Sequence, residues 1–422
     1  MEENKTIQEE AVEAEEVIEE TAEETAEETV EQPEEEEKKS FPKIKMPQIK
    51  LPKLKLKVKR LRLTKAGKIA LLAIVLLIVV VYGMLTIPGM IDRSNLKKMG
   101  YSEEAITKIY DLEWQGMILS EELYSDNLNR SIVKDNFRKE FIDLYLVTDS
   151  LTADDFNLYA KLILKGYEKA DVLTMFNKLE FYEMTPLLVF DFVEDAAAYI
   201  KDVDDHRVVN SKDSFTLSGN YITYYAETEP VVNQGSIEMM VNKHFAMSSD
   251  YEPGDLTEAS IRYASRGLVL SQTAYDALKL MCDAAAQEEG ETTLRMYASS
   301  GYRDYAYQED LYNTYVKRYG EEEADTIAAR PGHSEHQTGL TVDMASLSNG
   351  GLSKFGESPE YQWMLNNAHK YGWILRYPEG KEQITGYSAE PWHWRYVGVD
   401  LATKIYNSKL TFDEYYMLYM AD

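Results

Sequence analysis

The chain has 422 residues, a formal net charge of −28 and one cysteine. That length predicts two or three folded units. The acidic balance argues against nucleic acid as a partner, and a single cysteine excludes an intramolecular disulfide framework.

The charge is unevenly placed. Residues 1–40 hold 18 Glu against 3 Lys, including the repeat ETAEETAEETV. So little hydrophobicity predicts a disordered acidic tail. Residues 41–68 hold 11 Lys or Arg and no acid. Their alternation with apolar residues and prolines predicts a basic juxtamembrane segment that meets anionic lipid headgroups. Residues 69–87, IALLAIVLLIVVVYGMLTI, carry no charge over 19 positions. At ~1.5 Å per residue this run just spans a bilayer core, so one transmembrane helix is expected. The basic flank places the N-terminus in the cytoplasm and the remainder outside it, as in a single-pass protein of a Gram-positive-type cell membrane. Membrane lipids would then be partners of residues 41–87.

Residues 88–204 read as an extracytoplasmic helical stalk. GYSEEAITKIYDL (100–112) and GYEKADVLTMFNKL (166–179) resemble one another, with apolar residues at helical spacing. Val172, Leu173, Phe176 and Leu179 are the expected core stripe of the second. Residues 205–236, with SFTLSGNYITYYAE, predict a β-hairpin linker. From 237 to 422 the pattern is α+β. Helices are expected around 271–289, 305–319 and 360–371, and strands around 293–299, 339–344, 372–376 and 393–397. A small antiparallel sheet with flanking helices follows. Cys282 lies in a helical pattern and reads as a buried structural thiol.

The chemistry concentrates in this last region. RPGHSEHQTGLTVDMA (330–345) and EPWHWRYVG (390–398) offer two imidazoles, His336 and His393, and two carboxylates, Asp343 and Glu390. A hydrolytic zinc site needs three protein ligands, a position for water and a carboxylate that handles a proton. Alternation in GLTVDMAS sets Thr341, Asp343 and Ala345 on one strand face, with Leu340, Val342 and Met344 on the other. Glu390, across Pro391, is expected in a turn that places it beside the metal. His206, His244 and His369 read as ordinary surface or core histidines. His333, on the Pro-Gly loop, reads as a rim residue.

With SGYRDYAYQEDLY (300–312), these blocks resemble the signature motifs of the VanY-type D-alanyl-D-alanine carboxypeptidases, zinc peptidases related to the VanX dipeptidases. VNKHFAMSSDYEPGDL (241–256) resembles the opening of that domain. The resemblance covers roughly 237–406. It implies Zn²⁺ held in the cleft by His336, Asp343 and His393, with Glu390 as general base. It implies that Arg303 faces the scissile carbonyl or the substrate carboxylate. Gln308 and Ser334 match positions near the substrate. Trp392, Trp394 and Tyr396 pack around the site. The implied substrates are peptidoglycan stem peptides. L,D-carboxypeptidase or endopeptidase action, or a catalytically retired wall-binding protein, remain the alternatives. The oligomeric state stays open.

Overall fold

A computed structural model describes residues 65–135, 137–207, 225, 228–288, 294–348 and 350–421. The acidic tail and residues 41–64 of the basic segment lie outside the described residues. So does most of the expected hairpin linker. The chain divides into two compact units, with the boundary between Asp149 and Ser150.

In the first unit, one helix runs from Lys65 to Met99. The transmembrane helix expected over 69–87 is not borne out: among the described residues, no helix is long and apolar enough to cross a membrane. The helix does not stop at Ile87; it continues with Asp92, Arg93, Lys97 and Lys98. The lipid contact expected for 41–87 loses its span with it. Beyond Gly100, four short helices bury Ile106, Ile109, Ile118, Leu128 and Leu144. Ser102 and Ser125 accept hydrogen bonds from Ala105 N and Leu128 N, capping two of them.

The second unit opens with helices Ala153–Lys165, Lys169–Lys178 and Ala196–His206, joined by two single-turn helices. Thr152 and Asp155 form a reciprocal capping box at the first. The core stripe of the second is Val172, Met175 and Phe176, with Leu179 just beyond; Leu173 is half-buried. These helices lock onto the end of the chain. Thr185 Oγ1 donates to Glu414 Oε1 at 2.7 Å, and Asn157 Nδ2 donates to the Leu418 carbonyl at 2.6 Å.

Two strand pairs precede the main sheet. Strands β1 (Glu229–Pro230) and β2 (Phe245–Ala246) pair in parallel; β3 (Leu256–Glu258) and β4 (Val269–Ser271) pair antiparallel. The main sheet has strands β5 (Met296–Ser300), β6 (Thr341–Ser346), β7 (Trp373–Tyr377) and β8 (Glu390–Tyr396) in the order β5-β6-β8-β7, all antiparallel. One face carries Val342, Met344, Trp373 and Trp394. They pack against Ala274, Leu278, Met281, Cys282 and Ala285 of helix Gln272–Ala286, at the i, i+4, i+7 spacing of a core-facing helix. The other face carries the charged residues described next.

Candidate active site and metal centre

The short helix Glu335–Thr338 ends at Gly339, whose φ of +68° lets the chain turn directly into β6. A Cβ there would lie 3.1 Å from Leu256 Cδ2 and 3.2 Å from Ser271 N. This turn sets His336 beside the start of the strand that carries Asp343. Asp343 pairs with His393 across β6 and β8, and directly paired residues share a face. His336, Asp343 and His393 are all buried, with one ligand atom of each within 4.8 Å of the others. The two imidazole rings stand edge to face at 5.0 Å.

Glu390 joins them by an irregularity. It is the first residue of β8, not part of a turn as expected from Pro391. In a regular strand Glu390 and His393 would point to opposite faces. The β7–β8 register slips between Leu375 and Tyr377, so that Tyr377 pairs with Glu390. Glu390 Oε2 then lies 3.3 Å from His393 Nδ1. A second slip, between β5 and β6, sets Ser300 opposite Asp343. Arg303 Nη2 donates to Ser300 Oγ at 2.9 Å and to Asp343 Oδ2 at 3.1 Å.

The donor set fits a divalent cation. His336 Nδ1 lies 2.6 Å from the Gly301 carbonyl oxygen, which fixes that nitrogen as the N–H donor and turns Nε2 toward Asp343 Oδ2 at 3.3 Å. Burial, then the nearby Arg303 guanidinium, push the His336 pKa down to about 4, so the ring is neutral, the form that binds metal. Asp343 Oδ1 is buried and accepts no hydrogen bond. Burial opposes the charge on His393, yet the facing carboxylates of Asp343, Glu335 and Glu390 raise its pKa well above the ordinary value. A centre faced by three carboxylates favours positive charge. Burial raises the Glu390 pKa, the direction that favours proton exchange near neutral pH.

These residues line a cleft of about 60 Å³. Arg303, Gln308 and Ser334 all line it, so every predicted site residue is brought together. Gln308 donates to the Ala329 carbonyl at 2.8 Å, while its Oε1 is buried without a hydrogen-bond partner. Trp392 lines the cleft, whereas Trp394 and Tyr396 belong to the core on the other side of the sheet. His333 is buried against the Asn242 carbonyl rather than on a rim. His206, His244 and His369 do not line the cleft. The lining residues that escape the sequence reading include Tyr377, Tyr387, Tyr315 and Glu335. Glu335 sits between His336 and the Ser of the same motif, but nothing local marks it as buried.

Residues 267–399 match the family model "VanY: D-alanyl-D-alanine carboxypeptidase". The chain is 38% identical over 225 residues to the putative carboxypeptidase YodJ of Bacillus subtilis, covering 51% of this chain and 81% of that protein. It is 41% identical over 126 residues to a D-alanyl-D-alanine carboxypeptidase of Enterococcus faecalis, covering 28% of this chain and 46% of that one. Among solved structures, it is similar to the LdcB LD-carboxypeptidase, with 40% identity, 47% and 93% of the two chains covered and a TM-score of 0.42. It is also similar to VanYB in complex with D-alanine-D-alanine, with 32% identity, 42% and 96% covered and a TM-score of 0.36. With the matched segment enclosing the whole His336–Asp343–His393 cluster and Glu390, the chain belongs to the VanY family of D-alanyl-D-alanine carboxypeptidases and is a peptide hydrolase of the carboxypeptidase type.

Proposed function

We propose that this protein removes the terminal D-Ala from peptidoglycan stem peptides, with Zn²⁺ held by His336, Asp343 and His393. The observation that carries this reading is the convergence of three buried ligand atoms within 4.8 Å, with the Glu390 carboxylate 3.3 Å from one of the ligating rings. A divalent ion there supplies the positive charge that lowers the pKa of a water and polarises a carbonyl. Glu390 takes the proton of the attacking water and delivers it to the leaving amine as the C–N bond breaks. Arg303 lines the same cleft and offers a planar set of N–H donors to the substrate's carbonyl oxygen or terminal carboxylate. Gln308 and Ser334 orient the peptide beside it. A stem peptide lies outside the cytoplasmic membrane, so the reading includes an extracytoplasmic catalytic unit.

The test is product analysis by mass spectrometry. The full chain is incubated with stem pentapeptide and tetrapeptide, with and without a chelator. D-Ala release from the pentapeptide, abolished by the chelator and restored by Zn²⁺, is expected. Release from the tetrapeptide alone would make it an L,D-carboxypeptidase. Chelator-insensitive release, or none, overturns the reading.

A further inference from the structure

Four charged side chains beneath the cleft are almost completely buried: Glu335, Arg376, Arg395 and Asp413. They form one chain. Glu335 Oε1 accepts from Arg376 Nε at 2.9 Å and from Arg395 Nη1 at 3.0 Å. Asp413 grips the other end of Arg376, Oδ2 accepting from Nη1 at 2.5 Å and Oδ1 from Nη2 at 3.0 Å. Asn242 Nδ2 donates to Asp413 Oδ1 at 2.9 Å. The remaining carboxylate oxygen, Glu335 Oε2, is aimed at His393 Nε2 at 3.4 Å.

Apolar residues of similar volume would serve stability as well as such a buried ionic group, often better. Its geometry offers a different reason for its presence. Two guanidinium bonds on Oε1 fix the carboxylate plane, so Oε2 has one place to point. An N–H at Nε2 donating to it leaves the lone pair of His393 on Nδ1, the nitrogen that faces Asp343 Oδ1 at 3.4 Å and Glu390. His336 uses the opposite arrangement, with Nδ1 held by the Gly301 carbonyl. Each imidazole thus has its own outer partner, one backbone carbonyl and one carboxylate.

We propose that Glu335 is a positioning residue for the ligand His393, and that Asp413, acting through Arg376, positions Glu335. Asp413 lies beyond the family-matched residues 267–399, on the C-terminal helix Phe412–Tyr419, whose Glu414 accepts the bond from Thr185. The proposal rests on the metal site of the preceding section, but its readout is metal binding, not turnover.

In the full chain, zinc affinity is measured by competition with a chromophoric chelator, together with thermal unfolding of the metal-free protein. Glu335→Gln is expected to weaken zinc binding roughly 10–100-fold, the usual effect of removing an outer partner of a ligand. Asp413→Asn is expected to move it in the same direction by less, and in both variants kcat falls more than KM rises. Glu360→Gln is the comparison. Glu360 is equally buried in the same unit, and its carboxylate accepts from Arg295 N, Ser346 and Ser348 rather than facing His393. It should cost stability without changing zinc affinity. If Glu335→Gln and Asp413→Asn lose no more affinity than Glu360→Gln, the proposal is overturned. Should Glu335→Gln not fold, Glu335→Asp keeps the charge and withdraws it from His393; undiminished zinc affinity there overturns the proposal equally. Zinc binding by the unmodified chain without D-Ala release would instead remove the functional reading and leave this one standing.

Discussion

The two faces of the main sheet are built from alternate residues of the same strands, and they are organised by different physics. On one face Val342, Met344 and Trp394 meet the helix that carries Cys282, and shape and apolar area decide everything. On the other, Asp343, His393, Arg395 and Arg376 are just as buried but charged, and each needs a partner at a stated distance. The apolar face loses stability when volume is lost. The charged face loses it when one partner of a buried pair is removed or displaced. A protein that carries both on one pair of strands obtains a rigid support directly beneath its chemistry.

Substitutions on the two faces should therefore fail in different ways. The largest effect is expected from Glu390→Gln, which removes the proton acceptor: turnover should fall by about 10²–10⁴-fold while zinc content and Tm stay close to those of the unmodified chain. Loss of metal in proportion to activity would make Glu390 a ligand instead. Arg303→Ala should reduce turnover by roughly 10²–10³-fold if the guanidinium stabilises the developing oxyanion, with a smaller effect on zinc content; an unchanged rate would return it to its ion pair with Asp343. On the apolar face, Met344→Ala should cost about 2–5 kcal/mol of stability, read by denaturant unfolding. The fraction that remains folded should keep its zinc affinity, and a parallel loss of zinc would show that the two faces are not separable.

Smaller effects probe the edges of the comparison. Thr185→Val strands Glu414 without its 2.7 Å donor and should cost about 1–3 kcal/mol, the penalty for a buried group left unsatisfied. The smallest belongs to Cys282 in the apolar core. Burial pushes its thiol up to about 12. At pH 8 it then holds on the order of 10³-fold less thiolate than an ordinary thiol near 9. Labelling by a thiol reagent should be undetectable in the folded protein at pH 8 and should appear only on unfolding; rapid labelling would mean that this face opens.

Local pattern carries a large part of this architecture. The alternation in TVDMAS and the imidazoles and carboxylates of the two motifs were enough to place β6 and β8 and to mark the side chains that the fold brings together. Both signals act between near neighbours: strand alternation has a period of two, and each ligand is recognisable by its own donor chemistry. Where the reading failed, a nonlocal effect decided. Glu390 was expected in a turn because proline follows it, but pairing with Tyr377 extends β8 back to Glu390 and a register slip turns its side chain to the site. The expected transmembrane helix was read from hydropathy alone, and the described residues contain no helix long and apolar enough to cross a membrane.

The sequence by itself thus marked the side chains whose chemistry suits a metal and a proton, because that chemistry belongs to the residue and its immediate strand. Only the tertiary structure decided which nitrogen of each histidine faces the centre. Glu335 is joined to Arg376 and Arg395, and Arg376 to Asp413, across 41, 60 and 37 residues of chain. No periodicity reports a bond between groups so far apart, because it exists only once burial has removed the water that would otherwise satisfy each charge separately.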